Sequence, residues 1–311
     1  MNIDMIRAAA RRLEGHVRRT PLLNSPFLDD IAGRRVWVKP ECLQHTGSFK
    51  FRGGWSAVSA LDPEVRAKGV AYAAKLHGVP AVIIMPADAP RLKVANTRAL
   101  GAEVVLYDRM SEDRDAIGAR FSEDRDLTLI KPFDNPQVIA GQGTTGLEIA
   151  QQAAEAGIEN ADVIVCCGGG GLTSGIALAL EVDAPTLRVR PAEPEAFDDV
   201  ARSLHTGQIQ RNANSGGSIC DAIVTPQPGN LTFPIMQRLC GPGLAVSDDE
   251  ALQAVAHAFN RLKLVAEPGG AVALAAALFR TDQINGSDVI VTISGGNVDS
   301  DMFARALATL D

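Results

Sequence analysis

A lysine becomes a nucleophile when its surroundings lower its pKa, and Lys50 has surroundings of that kind. It lies in Glu41–Gly54, ECLQHTGSFKFRGG, shortly after a β-branched run. Phe49 and Phe51 flank it with bulky apolar groups, and Thr46, Gly47 and Ser48 precede it as a helix cap. A desolvated ammonium gives up its proton more readily and can then attack a carbonyl. A single lysine at a helix start is usually a surface residue, and here the neighbours argue against that.

Gly168–Gly171 follows DVIVCC and precedes the helical stretch Leu172–Glu181. Four glycines between a strand and a helix let several backbone N–H groups converge on an anion at the helix N-terminus. A dinucleotide loop needs G-x-G-x-x-G, and from Gly168 the third glycine would fall on Thr173. There is no G-K-[ST], so a Walker loop is excluded. Glu193, at the end of the next strand, imitates a ribose-binding acid and keeps the dinucleotide reading alive.

Two further stretches carry polar groups at strand ends. Ser294–Asn297, SGGN, follows the apolar VIVTI and by itself is a weak turn-like signal. Glu193–Asp199, EPEAFDD, clusters carboxylates in the manner of a site for a hard divalent cation. A solvated acidic loop explains the same residues equally well.

Together these motifs resemble the fold-type II pyridoxal-phosphate (PLP) enzymes, specifically the threonine/serine dehydratase and serine racemase family. TGSFKFRG is similar to the family's S-F-K-x-R-G motif, whose lysine forms a Schiff base with PLP. The match implies Lys50 as that lysine and as the base that removes the substrate Cα proton, with Phe49 beside it. GGGGLTSG resembles the cradle of the cofactor phosphate, which implies Gly168, Gly169, Gly170, Gly171 and Leu172. The serine of S-G-G-N implies Ser294 at the pyridine nitrogen, and Glu267, before a Pro-Gly-Gly turn, near the ring. A serine hydroxyl cannot hold a proton on that nitrogen as an aspartate would. The ring is then a weaker electron sink, and prompt loss of a β-leaving group is favoured over transamination. EPEAFDD resembles a cation site of the same family, which implies Glu193, the carbonyl of Phe197 and Asp199 around Mg2+ or Ca2+.

The resemblance runs from about residue 15 to the C-terminus, with no room for a regulatory domain after SGGN. It implies a tryptophan-synthase-β-like α/β fold that converts L-threonine or L-serine to a 2-keto acid and ammonia. A serine racemase-like enzyme is the alternative. It further implies a homodimer or homotetramer, a large domain of residues 1–52 and 142–311, and a small one of 53–141.

The elements that must position these residues are visible as β-branched runs. They are Arg35–Lys39, Ala81–Met85, Glu103–Tyr107, Leu127–Lys131, Asp162–Cys167, Leu187–Arg190 and Asp288–Ser294. Helical stretches lie between most of them, at Arg91–Leu100, Gly146–Ala156, Leu172–Glu181, Asp248–Arg261 and Gly270–Phe279. Alternation of this kind predicts right-handed crossovers and mainly parallel sheets. It fails at one place. The helical stretch Phe51–Leu61, a second helix from Pro63 and a third over 69–77 follow one another with no strand between. In the resembled family a strand and an S-[ST]-G-N-H loop that grips the substrate carboxylate stand there. Neither occurs in this chain. That loss predicts cofactor binding with weak turnover, and a catalytically impaired PLP-binding protein is the competing reading.

Bulk properties narrow the partners to small molecules. The net charge of −7 opposes binding to nucleic acid or an anionic membrane surface. The chain has no apolar run of the ~18 residues that a membrane span needs. The N-terminus is Arg-rich but has no apolar core, and its helical spacing favours a folded helix over a targeting segment. Five cysteines without a C-x-x-C pair suit a reducing cytoplasm.

Overall fold

The computed structural model describes residues 1–62, 81–125 and 127–310. The helix expected from Pro63, the helical stretch over 69–77 and the break near 68–69 lie outside the described residues. The chain begins with α1 (Ile3–Leu13), capped by Asn2 and buried along Ile6, Ala9 and Leu13. β1 (Leu23–Asn24), α2 (Pro26–Ala32), β2 (Arg35–Pro40) and α3 (Lys50–Ser59) follow. Next come β3 (Val82–Pro86), α4 (Arg91–Ala99), β4 (Glu103–Tyr107) and α5 (Arg114–Asp124). The remainder alternates through α6 (Pro136–Glu155), β5 (Ala161–Cys166), α7 (Gly171–Asp183), β6 (Leu187–Pro194), α8 (Asp199–Thr206) and α9 (Thr232–Leu239). It closes with β7 (Leu244–Val246), α10 (Asp248–Leu262), α11 (Pro268–Phe279), β8 (Asp288–Ile293) and α12 (Ser300–Leu307).

The large sheet has the order β1-β2-β8-β5-β6-β7 and is parallel except for the β1–β2 edge. A separate parallel pair joins β3 to β4. This is the α/β class with two mainly parallel sheets that the alternation predicts. β5 and β8 are buried along their whole length, as continuous apolar strands in a covered sheet should be. The Ala-rich α11 is buried from Pro268 to Leu278 and packs on the same core as β8. In the small sheet Leu106 stays 43% exposed.

Three expectations are corrected. Leu127–Lys131 is not a strand. The Leu127 N–H turns back to the Ser122 carbonyl, Leu129 packs over Gly118 of α5, and Ile130 joins the α1–α3 core. The segment lies against helices with Leu127 and Ile130 half-buried and Leu129 exposed, so its β-branched composition has no ladder to enter. The helix expected from Gly146 starts ten residues earlier, at Pro136, capped by the Asn135 side chain. Glycines at 141, 143 and 146 lower its helix propensity, which hid the first half. They also permit its packing. A Cβ at Gly141 would lie 2.4 Å from the Arg52 carbonyl oxygen, and one at Gly143 would lie 2.9 Å from that of Gly175. Finally, β6 continues past Arg190 to Pro194, and Pro191 pairs with Val165.

A buried network of charges joins β2, α3 and α6. Arg52 donates to both oxygens of Glu41 at 2.7 and 2.8 Å and to both oxygens of Glu148 at 2.7 and 2.9 Å. Lys39 donates to Glu148, Gln152 and the Thr20 carbonyl. Burial alone would raise the Glu41 carboxyl, but the Arg52 guanidinium, Lys39 and the Thr20 hydroxyl outweigh it and hold it below its ordinary range. Its stabilising contribution is therefore full above pH 4.5, the ordinary value, and is lost as the pH falls below that and the carboxylate protonates. Replacing Arg52 with Met should strand Glu41 as an unpaired buried charge and cost about 3–5 kcal/mol. The urea midpoint at pH 7 measures this. The double variant Arg52→Met/Glu41→Leu should recover part of the loss, and a single variant as stable as the parent would refute the account.

Candidate active site

β2, β8 and β5 are parallel neighbours, so the loops at their carboxyl ends emerge on one edge of the sheet, where open α/β sheets bind ligands. The three loops are the Lys50 segment, the Ser294 turn and the Gly168–Gly171 turn. The first two are stitched together by backbone. Phe49 N–H donates to the Ser294 carbonyl at 3.1 Å, and Gly296 N–H donates to the Gly47 carbonyl at 2.9 Å. The Asn297 amide donates to the Thr46 carbonyl at 2.9 Å. The sequence suggests a side-chain cap at Thr46–Ser48, and the structure has none. Thr46 and Gly47 take φ +62° and +73° and fold the chain back to the Ser294 turn instead. The α11 entrance joins the same assembly, because Ser294 N–H donates to the Gly270 carbonyl and Glu267 N–H to the Gly295 carbonyl, both at 3.0 Å.

Lys50 begins α3 and is exposed as a residue, while the end of its side chain lies against the Phe49 ring. Burial lowers its pKa and the ammonium of Lys93 lowers it further, against an upward pull from Glu267, Asp221 and Cys166. The Nζ lies 4.8 Å from the Phe49 ring centroid. Phe51 does not flank the amine from the other side. It packs toward His45 and Trp55, one residue further around the helix. Glu267 is buried, which raises its pKa against the pull of Lys93 and Lys50, and its Oε2 has no partner among the described residues. Ser294 is buried within hydrogen-bond reach of the Cys166 sulfur. An open cleft of about 430 Å³ borders Glu267 and is lined by 87–91, 218–219, Asp221 and 297–299.

The glycine turn leads into α7, whose N-terminus no side chain caps. Gly170 has φ +89°, and a Cβ there would sit 2.5 Å from Met236. The Phe133 ring covers Gly169, where a Cβ would meet it at 2.3 Å. Leu172 is buried on the core side.

Glu193 and Asp199 do come together, at the end of β6 and the start of α8, and Phe197 is buried between them in sequence. Both oxygens of Glu193 already accept N–H groups, from Val200 at 2.9 Å and Ala201 at 2.7 Å. Asn212 donates to Asp199 Oδ1, while Oδ2 has no partner among the described residues. Burial and mutual repulsion push Glu193 well up, and burial pushes Asp199 to about 7. No group of three or more His, Cys, Asp or Glu side chains suited to a metal occurs among the described residues.

The sequence did not point to Lys93, Asp221 or Arg52. Lys93 has an ordinary helical context, and Arg52 reads as exposed until its burial beside Glu41 is seen.

A profile of the pyridoxal-phosphate dependent enzymes matches residues 13–296. An L-threo-3-hydroxyaspartate ammonia-lyase of Pseudomonas sp is 41% identical over 316 aligned positions, covering 98% of this chain and 97% of that protein. The crystal structure of a T.th. threonine deaminase superposes with a TM-score of 0.89 at 40% identity, covering 96% of this chain and 99% of that one. Maize serine racemase gives 0.88 at 34% identity, covering 99% and 97%. The chain belongs to the pyridoxal-phosphate dependent enzymes, in their ammonia-lyase and racemase branch. The 316 aligned positions exceed 98% of 311 residues by about eleven, so the Pseudomonas relative carries about that many residues that this chain lacks.

The residues present fit that cofactor. A lowered-pKa amine, an uncapped helix N-terminus behind a glycine turn and an unpartnered buried carboxyl oxygen lie at or beside one sheet edge. The close backbone approach around the Ser294 turn makes a specific demand. A Cβ at Gly270 would lie 2.3 Å from the Gly295 carbonyl oxygen, so Gly270→Ala should force β8 and α11 apart and cost about 1–3 kcal/mol. Cofactor retention on a desalting column should fall with it. Gly216→Ala, where the nearest atom is 3.6 Å away, serves as control. Equal stability and equal retention in both variants would contradict this reading of the turn.

Proposed function

We propose that this chain is an ammonia-lyase for a β-hydroxy-α-amino acid, releasing a 2-keto acid and ammonia. The substrates considered are L-threonine, L-serine and L-threo-3-hydroxyaspartate. The last is included because the Pseudomonas relative bears that name. The observation that carries the reading is the lysine amine with its pKa lowered by burial, beside Glu267 and the Ser294 turn. When bound, PLP supplies a carbonyl for that amine to capture and an electron sink for the charge left when Cα is deprotonated. Lys50 would hold the cofactor, and its amine when free would take the Cα proton. A lowered pKa keeps a larger share of that amine neutral and ready to accept it. Gly168–Gly171 and the Leu172 N–H hold the phosphate at the start of α7, with Phe49 and Glu267 around the ring. Ser294 meets the ring nitrogen with a hydroxyl, which favours expulsion of the β-hydroxyl over transamination. The substrate loses its β-hydroxyl as water, and hydrolysis of the resulting imine then takes up one water, releases ammonia and leaves the 2-keto acid. Racemisation needs a second base on the opposite face. In the resembled family that base belongs to the S-[ST]-G-N-H loop, which this sequence does not contain.

Borohydride treatment should fix the cofactor to the peptide containing Lys50, and Lys50→Ala should abolish both the adduct and keto-acid release. Label on another lysine would sink the assignment. D-serine accumulating from L-serine with little pyruvate would favour the racemase reading. Stabilisation by NAD in place of PLP would restore the dinucleotide reading.

A divalent cation at Glu193 and Asp199 belongs to the same proposal. The pair lacks the ligand count of a complete site. A Mg2+ or Ca2+ ion would meet Asp199 Oδ2, with the Phe197 carbonyl and waters completing its shell. Millimolar Ca2+ or Mg2+ should raise the melting temperature, and Asp199→Ala should remove the response. A melting curve indifferent to both ions would refute the site.

A further inference from the structure

Lys93 stands in the first turn of α4, the helix that follows β3. Asp299 accepts the first two N–H groups of that helix, from Arg91 at 3.0 Å and Leu92 at 3.1 Å. This tethers α4 to the segment after the Ser294 turn and fixes Lys93 beside the cleft, since Arg91, Asp221, Glu267 and Asp299 all line it. The ammonium lies 4.0 Å from Asp221 Oδ2, with side chains 29% and 21% exposed. That separation is beyond hydrogen-bonding distance, so the pair leaves donors of the ammonium for another acceptor. Among the neighbouring charges Lys93 acts most strongly on both Lys50 and Glu267. It is thus a cation close to the amine at which Cα must sit.

We propose that Lys93 is the anchor for the substrate α-carboxylate. This rests on the ammonia-lyase reading. Any α-amino acid presents a carboxylate one bond from Cα, and a productive pose brings Cα to the Lys50 amine. A carboxylate attached to that carbon then falls beside Lys93, where it exchanges the long contact with Asp221 for a direct charge-assisted hydrogen bond. The arrangement also links binding to chemistry. A carboxylate on Lys93 offsets the charge that holds the Lys50 pKa down, so the base strengthens when the site fills.

The test uses the PLP-loaded full chain and L-lactate, an amine-free carboxylate that cannot react with the cofactor as an amino acid does. L-Lactate should raise the melting temperature of the parent. Lys93→Met should lose the response, and Lys93→Arg should keep most of it. With L-threonine, L-serine and L-threo-3-hydroxyaspartate, Lys93→Met should raise KM about tenfold or more alike, and change kcat less than about threefold. No lactate response in the parent, or one that survives in Lys93→Met, overturns the proposal. A KM effect confined to hydroxyaspartate also overturns it, because the lysine would then hold the side-chain carboxylate. Lactate binding that depends on Lys93, in a parent that releases no keto acid from any of the three, supports the anchor while sinking the ammonia-lyase reading.

Discussion

The segment that carries the amine is held from behind by four buried or nearly buried charges. Arg52 sits two residues after Lys50 and is bonded to Glu41, which precedes the loop, and to Glu148 on α6. Lys39, from the end of β2, closes the set through Glu148. Two cations and two anions cancel, so the cluster carries no net formal charge. Desolvating ions is expensive, and well-packed apolar residues could fill the same volume at less cost. What apolar groups lack is direction. Paired bonds from a planar guanidinium fix the distance and the rotation of α3 relative to β2 and α6. The position of the Lys50 amine depends on that fixation together with the loop's hydrogen bonds to the Ser294 turn and to Arg18, which exchanges bonds with Gln44 and donates to the Leu43 carbonyl.

At the sheet edge the same economy of polar groups continues. The Lys50 segment, the Ser294 turn and the α11 entrance satisfy one another's backbone across short distances, which leaves few side chains between them. The amine and the Glu267 carboxyl shift toward each other in pKa, the amine down and the acid up, and desolvation is the larger cause for both. Two groups driven this way favour their neutral forms, a state suited to moving a proton. Charge near them then has large effects, which is why a second lysine beside the cleft matters.

Much of this was legible in the sequence. The apolar strands announced a covered parallel sheet, and the glycine run after one strand and the SGGN after another lie together at the edge that carries the candidate site. What was hidden follows from packing. Gly141, Gly143 and Gly146 disguise half of α6, since their local cost is recovered only in contact with α3 and α7. Leu127–Lys131 imitates a strand because partial cover against helices draws on the same residue types as a sheet. Phe51 lies next to the reactive lysine in sequence but a helical step of about 100° turns it away. The acidic pair met as expected, yet its hydrogen bonds depend on where α8 begins, and no sequence pattern gives that. Arg52 and Lys93 acquire meaning only from partners at least eleven residues away.

At its tightest point the contact between α6 and α7 is made where neither helix has a side chain, while Ile149 and Ala153 of one share a core with Ile176 and Leu180 of the other. A Cβ on Gly175 would sit 2.5 Å from the Ile139 carbonyl oxygen and 2.6 Å from the Gly143 amide nitrogen, so the two backbones touch. Helices that meet through side chains can slide by exchanging rotamers, as shear motions do. Backbone against backbone has no rotamers to exchange. The pair therefore behaves as a single stiff plate under the floor of the site, with the glycine turn rooted at one end of it. Any closing movement around a substrate is then left to elements outside that pair, among them α4, whose first turn is held by two hydrogen bonds to Asp299.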